Sequence, residues 1–294
     1  MKKLTKQWVV GKLPKRAKDA NKGTFGKVLV IAGSEKYPGA AYLACAATYR
    51  VGAGLVTLAT IPQVQNIVSK KLPEVTFIIL DEKDGVIGDL ALDNLFQEID
   101  KFDVILIGPG LDSKEQTLKF ISELLRSGKG DLNFVIDGDG LNILSKIEDW
   151  DKLLENYGSS ATLTPHPGEM ARLTGLSVDE IQKDRVNVAE DYANKWGQVV
   201  VLKGANTVIS SPDGEVMMSL FVNPALATAG TGDILSGCIA GFLAQGLKPF
   251  DAGCVGVYIH GLAGEMVREK LGDAGILASD LLPFLPLAIK RLHN

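Results

Sequence analysis

Six short apolar runs constrain the fold most: residues 28–32 (Val-Leu-Val-Ile-Ala), 55–59, 75–80, 104–107, 134–136 and 199–202. An uninterrupted apolar run of this length marks a strand covered on both faces, the signature of a parallel sheet enclosed by helices. Helical segments lie between most of the runs, beginning with the alanine-rich stretch 39–51. Strand and helix in alternation predict βαβ units. One hairpin breaks the pattern. Residues 207–210 and 215–219 flank the turn Ser211-Pro212-Asp213-Gly214, whose residues favour chain reversal. From Asp233 to Leu292 the chain reads as mostly helical. No linker, repeat or low-complexity tract divides it. The expectation is one three-layer α/β/α domain over residues 1–294, with a mainly parallel central sheet and a C-terminal antiparallel hairpin.

Nearly every apolar run ends in Gly, Asp or Lys: Gly33, Gly108, Asp137, Lys203. Ligands of open α/β sheets bind beyond the carboxyl ends of the strands. Glycines alone would be strand terminators, but the charged residues among them point to a polar site.

Charge and cysteine usage exclude several classes. The net charge is −4, and the basic residues near the start (Lys2, Lys3, Lys6, Lys12, Lys15, Arg16, Lys18) are too interrupted for a nucleic-acid surface. They read as a solvated arm. Cys45, Cys238 and Cys254 show no metal-ligand spacing and read as buried reduced thiols. The apolar run Trp8-Val9-Val10 is too short for a secretory signal, and 234–244 is too short to span a bilayer. A cytoplasmic protein is expected, with neither membrane nor nucleic acid as partner.

The string Gly230-Thr231-Gly232-Asp233 precedes apolar positions at helical spacing, Ile234, Leu235, Cys238, Ile239 and Phe242. It therefore feeds a helix N-terminus, where free amides and the helix dipole favour an anion. Asp233 there has two readings. It is a first-turn acid that complements the dipole, or a base that removes a proton from a hydroxyl attacking phosphorus. Spacing alone does not choose between them. No GxxxxGK[ST] loop occurs, so this is not a P-loop enzyme, and no GxGxxG follows the first strand, so a Rossmann dinucleotide site is unsupported.

Three further strings sit at strand ends. In Thr164-Pro165-His166-Pro167-Gly168-Glu169, two prolines stiffen the loop around His166 and Glu169 opens a helix. It reads as a capped junction or, since the chain has only three histidines, as a ligand contact. Asp137-Gly138-Asp139-Gly140-Leu141-Asn142 is a turn or a Mg²⁺-holding carboxylate pair. Lys203 in Lys203-Gly204-Ala205-Asn206-Thr207 is placed to neutralise a nucleotide phosphate.

In this order, with Gly33-Ser34, Gly39-Ala40, Gly108-Pro109-Gly110-Leu111 and Ala227-Thr228-Ala229 added, the strings resemble the NAD(P)H-hydrate dehydratases, which have the ribokinase-like fold. The resemblance runs from about Leu13 to the C-terminus. It implies repair of NADHX and NADPHX, the hydrates of NADH and NADPH, with ADP or ATP as phosphoryl donor and Mg²⁺ as cofactor. It implies Asp233 as the base, Gly230, Thr231 and Gly232 as the anion hole, and Ala40, Gly110 and His166 as contacts to the hydrate. It further implies Lys203, Gly204, Ala205, Asn206 and Thr207, with Gly232, as the adenine-nucleotide site, and Glu169 and Asp137 near the metal. A homotetramer and a stand-alone, ADP-using chain of bacterial type are implied as well, without the epimerase domain fused in some relatives. Two departures stand out: Asp137-Gly138-Asp139-Gly140 where relatives often carry alanines, and Ala225-Leu226 where Gly-Met is usual. The rival reading is a vitamin-precursor kinase on the same fold.

Overall fold

The computed structural model describes residues 1–88, 91–128, 132–155, 157 and 161–293. Its centre is a sheet of ten strands. In chain order these are β1 (Lys2–Lys3), β2 (Lys27–Ile31), β3 (Leu55–Thr60), β4 (Thr76–Ile79), β7 (Val104–Ile107), β8 (Asn133–Ile136), β9 (Thr162–Leu163), β10 (Val199–Leu202), β11 (Val208–Ser210) and β12 (Val216–Met218). The omitted pair, β5 (Glu82–Lys83) and β6 (Val86–Ile87), forms a separate small hairpin.

The spatial order is β1-β12-β11-β10-β9-β8-β7-β2-β3-β4. The seven strands from β10 to β4 run parallel, and β10-β11-β12 turn antiparallel. The expected ribokinase-like arrangement is present, including the hairpin, whose turn is closed by Ser211 N–H donating to the Glu215 carbonyl at 2.9 Å.

From β2 the chain moves outward in one direction through β3 and β4, then in the other through β7 to β10. Right-handed crossovers therefore put the helices of the two halves on opposite faces. The reversal lies between β2 and β7. There Gly33, at φ +85°, donates its N–H to the Pro109 carbonyl at 2.9 Å. A crevice opens where adjacent crossovers diverge in this way.

The helix Thr231–Ala244 lies against β2, β7 and β8 and is flanked by Pro38–Arg50 and Pro249–Leu271. It is buried nearly all round, which is why it reads apolar on every face. Its glycines make that possible. A Cβ on Gly237 would stand 2.4 Å from the Ala44 carbonyl oxygen, so no other residue allows the two backbones so close. The Thr48 hydroxyl bridges the pair, 2.8 Å from the Ala44 carbonyl and 3.1 Å from that of Gly237. This packing fixes the start of the helix, and with it Asp233.

The N-terminal lysines differ from expectation. Lys2 and Lys3 form β1, parallel to β12, and Lys6–Lys12 is a helix packed on Pro249–Leu271 through buried Val9. The segment is an edge strand and helix whose lysines face water, not a free arm. Lysines suit that position because charge blunts an exposed sheet edge. Among the described residues no helix is long and apolar enough to cross a membrane. Cys45, Cys238 and Cys254 are buried free thiols.

Candidate active site

Gly230 begins the central helix with φ +94°, a left-handed conformation that glycine adopts without strain. No side chain caps the helix start. The Thr231 N–H reaches the Thr228 carbonyl and the Ile234 N–H that of Gly230. The amides of Gly232 and Asp233 remain open to an anion. The Thr231 hydroxyl donates to backbone, 2.8 Å from the Leu226 carbonyl and 2.9 Å from that of Thr228. Thr231 therefore shapes the turn with its side chain.

Beside this turn lies a group of buried charges. Lys203, at the end of β10, places its ammonium 2.5 Å from Asp137 Oδ1 and 3.5 Å from Glu169 Oε2. Asp137 and Glu169 are only 2% and 5% exposed. Asp137 Oδ1 also accepts from the Thr164 hydroxyl at 2.7 Å. A Cβ on Gly232 would lie 3.5 Å from Lys203 Nζ and 3.8 Å from Asp137 Oδ2. The anion turn, Lys203 and Asp137 thus form one cluster.

Burial, reinforced by the Asp137 charge and opposed by Lys203, pushes the Asp233 carboxyl up to about 7. Burial likewise raises Glu169 to about 7 against the pull of Lys203. Lys203 itself is held above its ordinary value: burial acts to lower it, but Asp137 and Glu169 outweigh that effect. Asp233 accepts no side-chain hydrogen bond among the described residues. A carboxyl poised near neutrality, unbonded, at an anion-binding helix start has the properties of a general base.

His166 is the cap of the helix Pro167–Thr174. Its Nδ1 accepts from the N–H groups of Gly168 and Glu169 at 2.9 and 3.2 Å, and Glu169 returns a bond to the His166 N–H at 2.7 Å. Burial, with Lys203 and Arg172 nearby, lowers its pKa. The ring is neutral at pH 7, and its half-exposed Nε2 stands 3.4 Å from Glu169 Oε1. The capped-junction reading accounts for Nδ1 and leaves Nε2 available to a ligand.

Ala40 and Gly110 come together. A Cβ on Gly110, at φ +63°, would meet the Ala40 Cβ at 2.8 Å. One turn further along the same helix, Leu43 packs on the Gly230 turn, 2.7 Å from where a Cβ on Gly230 would lie. The loop carrying Gly110 is tied to the Asp137 loop through Asp139, whose Oδ2 accepts from the Asp112 N–H at 2.9 Å.

Lys203, Gly204, Ala205, Thr207, Thr231 and Gly232 line a cavity of about 400 Å³. Asn206 is outside that lining and donates its backbone N–H to the Phe221 carbonyl at 3.3 Å. Sequence reasoning missed the far wall, made by Phe221, Asn223, Leu226, Val257 and His260. Its one available signal was the scarcity of histidine.

No group of three or more His, Cys, Asp or Glu converges as a metal cage among the described residues. Lys203 already pairs with both Asp137 and Glu169. The carboxylates present fit a Mg²⁺ that arrives on phosphate oxygens and keeps its water, not a preformed protein site.

A helix-start turn with a buried acid, beside charged residues at the ends of β8 and β10 of this sheet, defines a ribokinase-like fold with a candidate anion site. The fold agrees with a crystal structure of the ADP/ATP-dependent NAD(P)H-hydrate dehydratase of Bacillus subtilis co-crystallised with ATP and Mg²⁺: TM-score 0.82, 31% identity, 99% of this chain and 98% of that one covered. The NAD(P)H-hydrate dehydratase family model matches residues 28–287, and the chain belongs to that family. It is 34% identical to the ADP-dependent (S)-NAD(P)H-hydrate dehydratase of B. subtilis, covering 98% of each chain. It is 42% identical to the bifunctional NAD(P)H-hydrate repair enzyme of Moorella thermoacetica over 99% of its own length. The chain spans about half the length of that relative, 54%.

Proposed function

We propose that this protein dehydrates the S epimer of NADHX and NADPHX to NADH and NADPH, with ADP as phosphoryl donor. The observation that carries the reading is Asp233, held near neutrality at an uncapped helix start beside the cavity lined by Lys203 and Gly232.

The chemistry follows from a poor leaving group. Hydroxide does not depart readily from the hydrated ring, whereas phosphate does. Asp233 takes the proton from the ring hydroxyl, whose oxygen attacks the terminal phosphorus of ADP. The bond to the bridging oxygen breaks and AMP leaves. The lone pair of the ring nitrogen then expels phosphate, and loss of the neighbouring ring proton restores the double bond. The products are NADH, AMP and inorganic phosphate. Gly230, Thr231 and Gly232 would stabilise the transferred phosphoryl group through the open amides, donors fixed before charge develops. Lys203 would counter phosphate charge, with Gly204, Ala205 and Thr207 around the nucleotide. Ala40, Gly110 and His166 Nε2 would position the hydrated ring. Mg²⁺ would accompany the nucleotide phosphates, held near Glu169 and Asp137 through water, and supplies charge neutralisation there.

Three buried thiols suit a reducing compartment, and a cytoplasmic homotetramer belongs to the same proposal. Light scattering on the purified chain tests the tetramer. Incubation with NADH hydrate, Mg²⁺ and either ADP or ATP tests the reaction. Recovery of reduced-nicotinamide absorbance with release of phosphate supports it. A stable phosphorylated alcohol would instead identify a kinase.

A further inference from the structure

The loop after β10 brings Lys203, Gly204, Ala205 and Thr207 to the cavity. Its backbone is gripped from outside by Arg185, the first residue of the helix Arg185–Trp196, which is not part of the cavity lining. Arg185 Nη2 donates to two successive carbonyls, that of Leu202 at 2.8 Å and that of Lys203 at 3.2 Å. Nη1 donates to Gln182 Oε1 at 2.9 Å. A planar guanidinium held at both ends in this way has one orientation.

These bonds set the direction of the peptide between Lys203 and Gly204. The peptide is trans, so its N–H points opposite to its carbonyl. With the Lys203 carbonyl turned to the guanidinium, the Gly204 N–H turns to the cavity side, where it donates to the Thr207 hydroxyl at 3.3 Å. Thr207 closes the loop by donating that hydroxyl to the Gly204 carbonyl at 2.9 Å. A Cβ on Gly204 would stand 2.9 Å from Arg185 Nη1, so glycine lets the guanidinium close on the loop.

The guanidinium also keeps its charge to itself. Its partners are a side-chain amide and two backbone carbonyls, and no carboxylate pairs with it among the described residues. Asp184, its neighbour in sequence, is turned instead to the Asn187 amide at 2.7 Å. The ammonium of Lys203, by contrast, is shared between Asp137 and Glu169. A half-buried cation without a counterion leaves its field to a ligand.

We propose that Arg185 is a positioning residue for the phosphates of the nucleotide. It turns the Leu202 and Lys203 carbonyls off the cavity, presents the Gly204 N–H to it, and adds an unpaired positive charge behind the loop. With the peptide flipped, the Lys203 carbonyl oxygen would face a phosphate oxygen and the two would repel. Arg185 touches neither reactant. It acts through Lys203 and Gly204, on nucleotide binding more than on the chemical step. The inference rests on the reading of this cavity as the nucleotide site.

Calorimetry with ADP and steady-state kinetics on Arg185→Met and Arg185→Lys test it. In Arg185→Met, Kd and KM for ADP should rise roughly tenfold to a hundredfold, while kcat at saturating ADP and KM for the hydrate change much less. Arg185→Lys keeps the charge without the planar fork and should fall between the two. A role in folding alone would lower Tm and the active fraction, hence kcat, and leave the ADP Kd of the folded protein where it was. That result, or wild-type ADP affinity in both variants, overturns the proposal. Should neither variant fold, the wild type decides: the Gly204 amide ¹H–¹⁵N resonance should move with ADP, and a resonance unmoved by bound ADP overturns the positioning role alone. A wild type that binds no adenine nucleotide overturns the nucleotide site as well.

Discussion

Lys203 Nζ lies 2.5 Å from Asp137 Oδ1, and the same ammonium reaches Glu169 Oε2 at 3.5 Å. One cation therefore serves two buried carboxylates. Removing it leaves Asp137 in the interior without its counterion and favours the neutral form of Glu169. Lys203→Met should cost about 3–5 kcal/mol in urea unfolding and weaken ADP binding. Adding Asp137→Asn to that variant should restore part of the stability and none of the affinity.

Asp233→Asn keeps the shape of the helix start and removes the base. Turnover of the hydrate should fall roughly 10²- to 10⁴-fold, while ADP affinity in calorimetry stays near that of the wild type. Full turnover in this variant would sink the assignment.

The raised Asp233 carboxyl makes two pH predictions, of opposite sign. The base acts deprotonated, so log kcat/KM should climb as pH rises toward the value of about 7 and level off above it. Folding follows from linkage: an ordinary carboxyl of the unfolded chain ionises near 3.8. Between that value and about 7 the folded state holds the extra proton, so the contribution of Asp233 to stability falls as pH rises through this window. The Tm difference between Asp233→Asn and wild type should therefore grow in favour of the variant from pH 4 to pH 7, then stay flat.

Two glycines of the same turn should respond oppositely to alanine. At Gly232 the new Cβ makes ordinary contacts, 3.5 Å to Lys203 Nζ and 3.8 Å to Asp137 Oδ2. Stability should hold or rise by up to about 1 kcal/mol, while turnover drops roughly tenfold or more as the methyl crowds the phosphoryl position. At Gly230 the φ of +94° and the Leu43 side chain 2.7 Å away make Gly230→Ala destabilising by roughly 1–3 kcal/mol. Thermal unfolding beside steady-state rates separates the two.

The buried strands were legible because a strand covered on both faces has no reason to alternate. β1 and β5 were not, since two-residue strands rich in Lys and Glu carry no apolar signal. Asp233 and its turn were visible as a string, but the choice between dipole partner and base needed the burial around it. Lys203 stood out only weakly, as one lysine at a strand end; its contacts to Asp137 and Glu169 join residues far apart in the chain. Asn223 and His260 of the far wall were hidden for a related reason. A histidine within an apolar helix looks like core.

The contact between Gly237 and the Ala44 carbonyl is remote from every reactant, one helical turn beyond Asp233. Yet it is the contact against which Asp233 is aligned. With Asp233 proposed as the base, the precision of proton abstraction is thus set by a seam between two backbones. Sequence drift along that seam would detune the chemistry while every residue facing the ligands stayed the same.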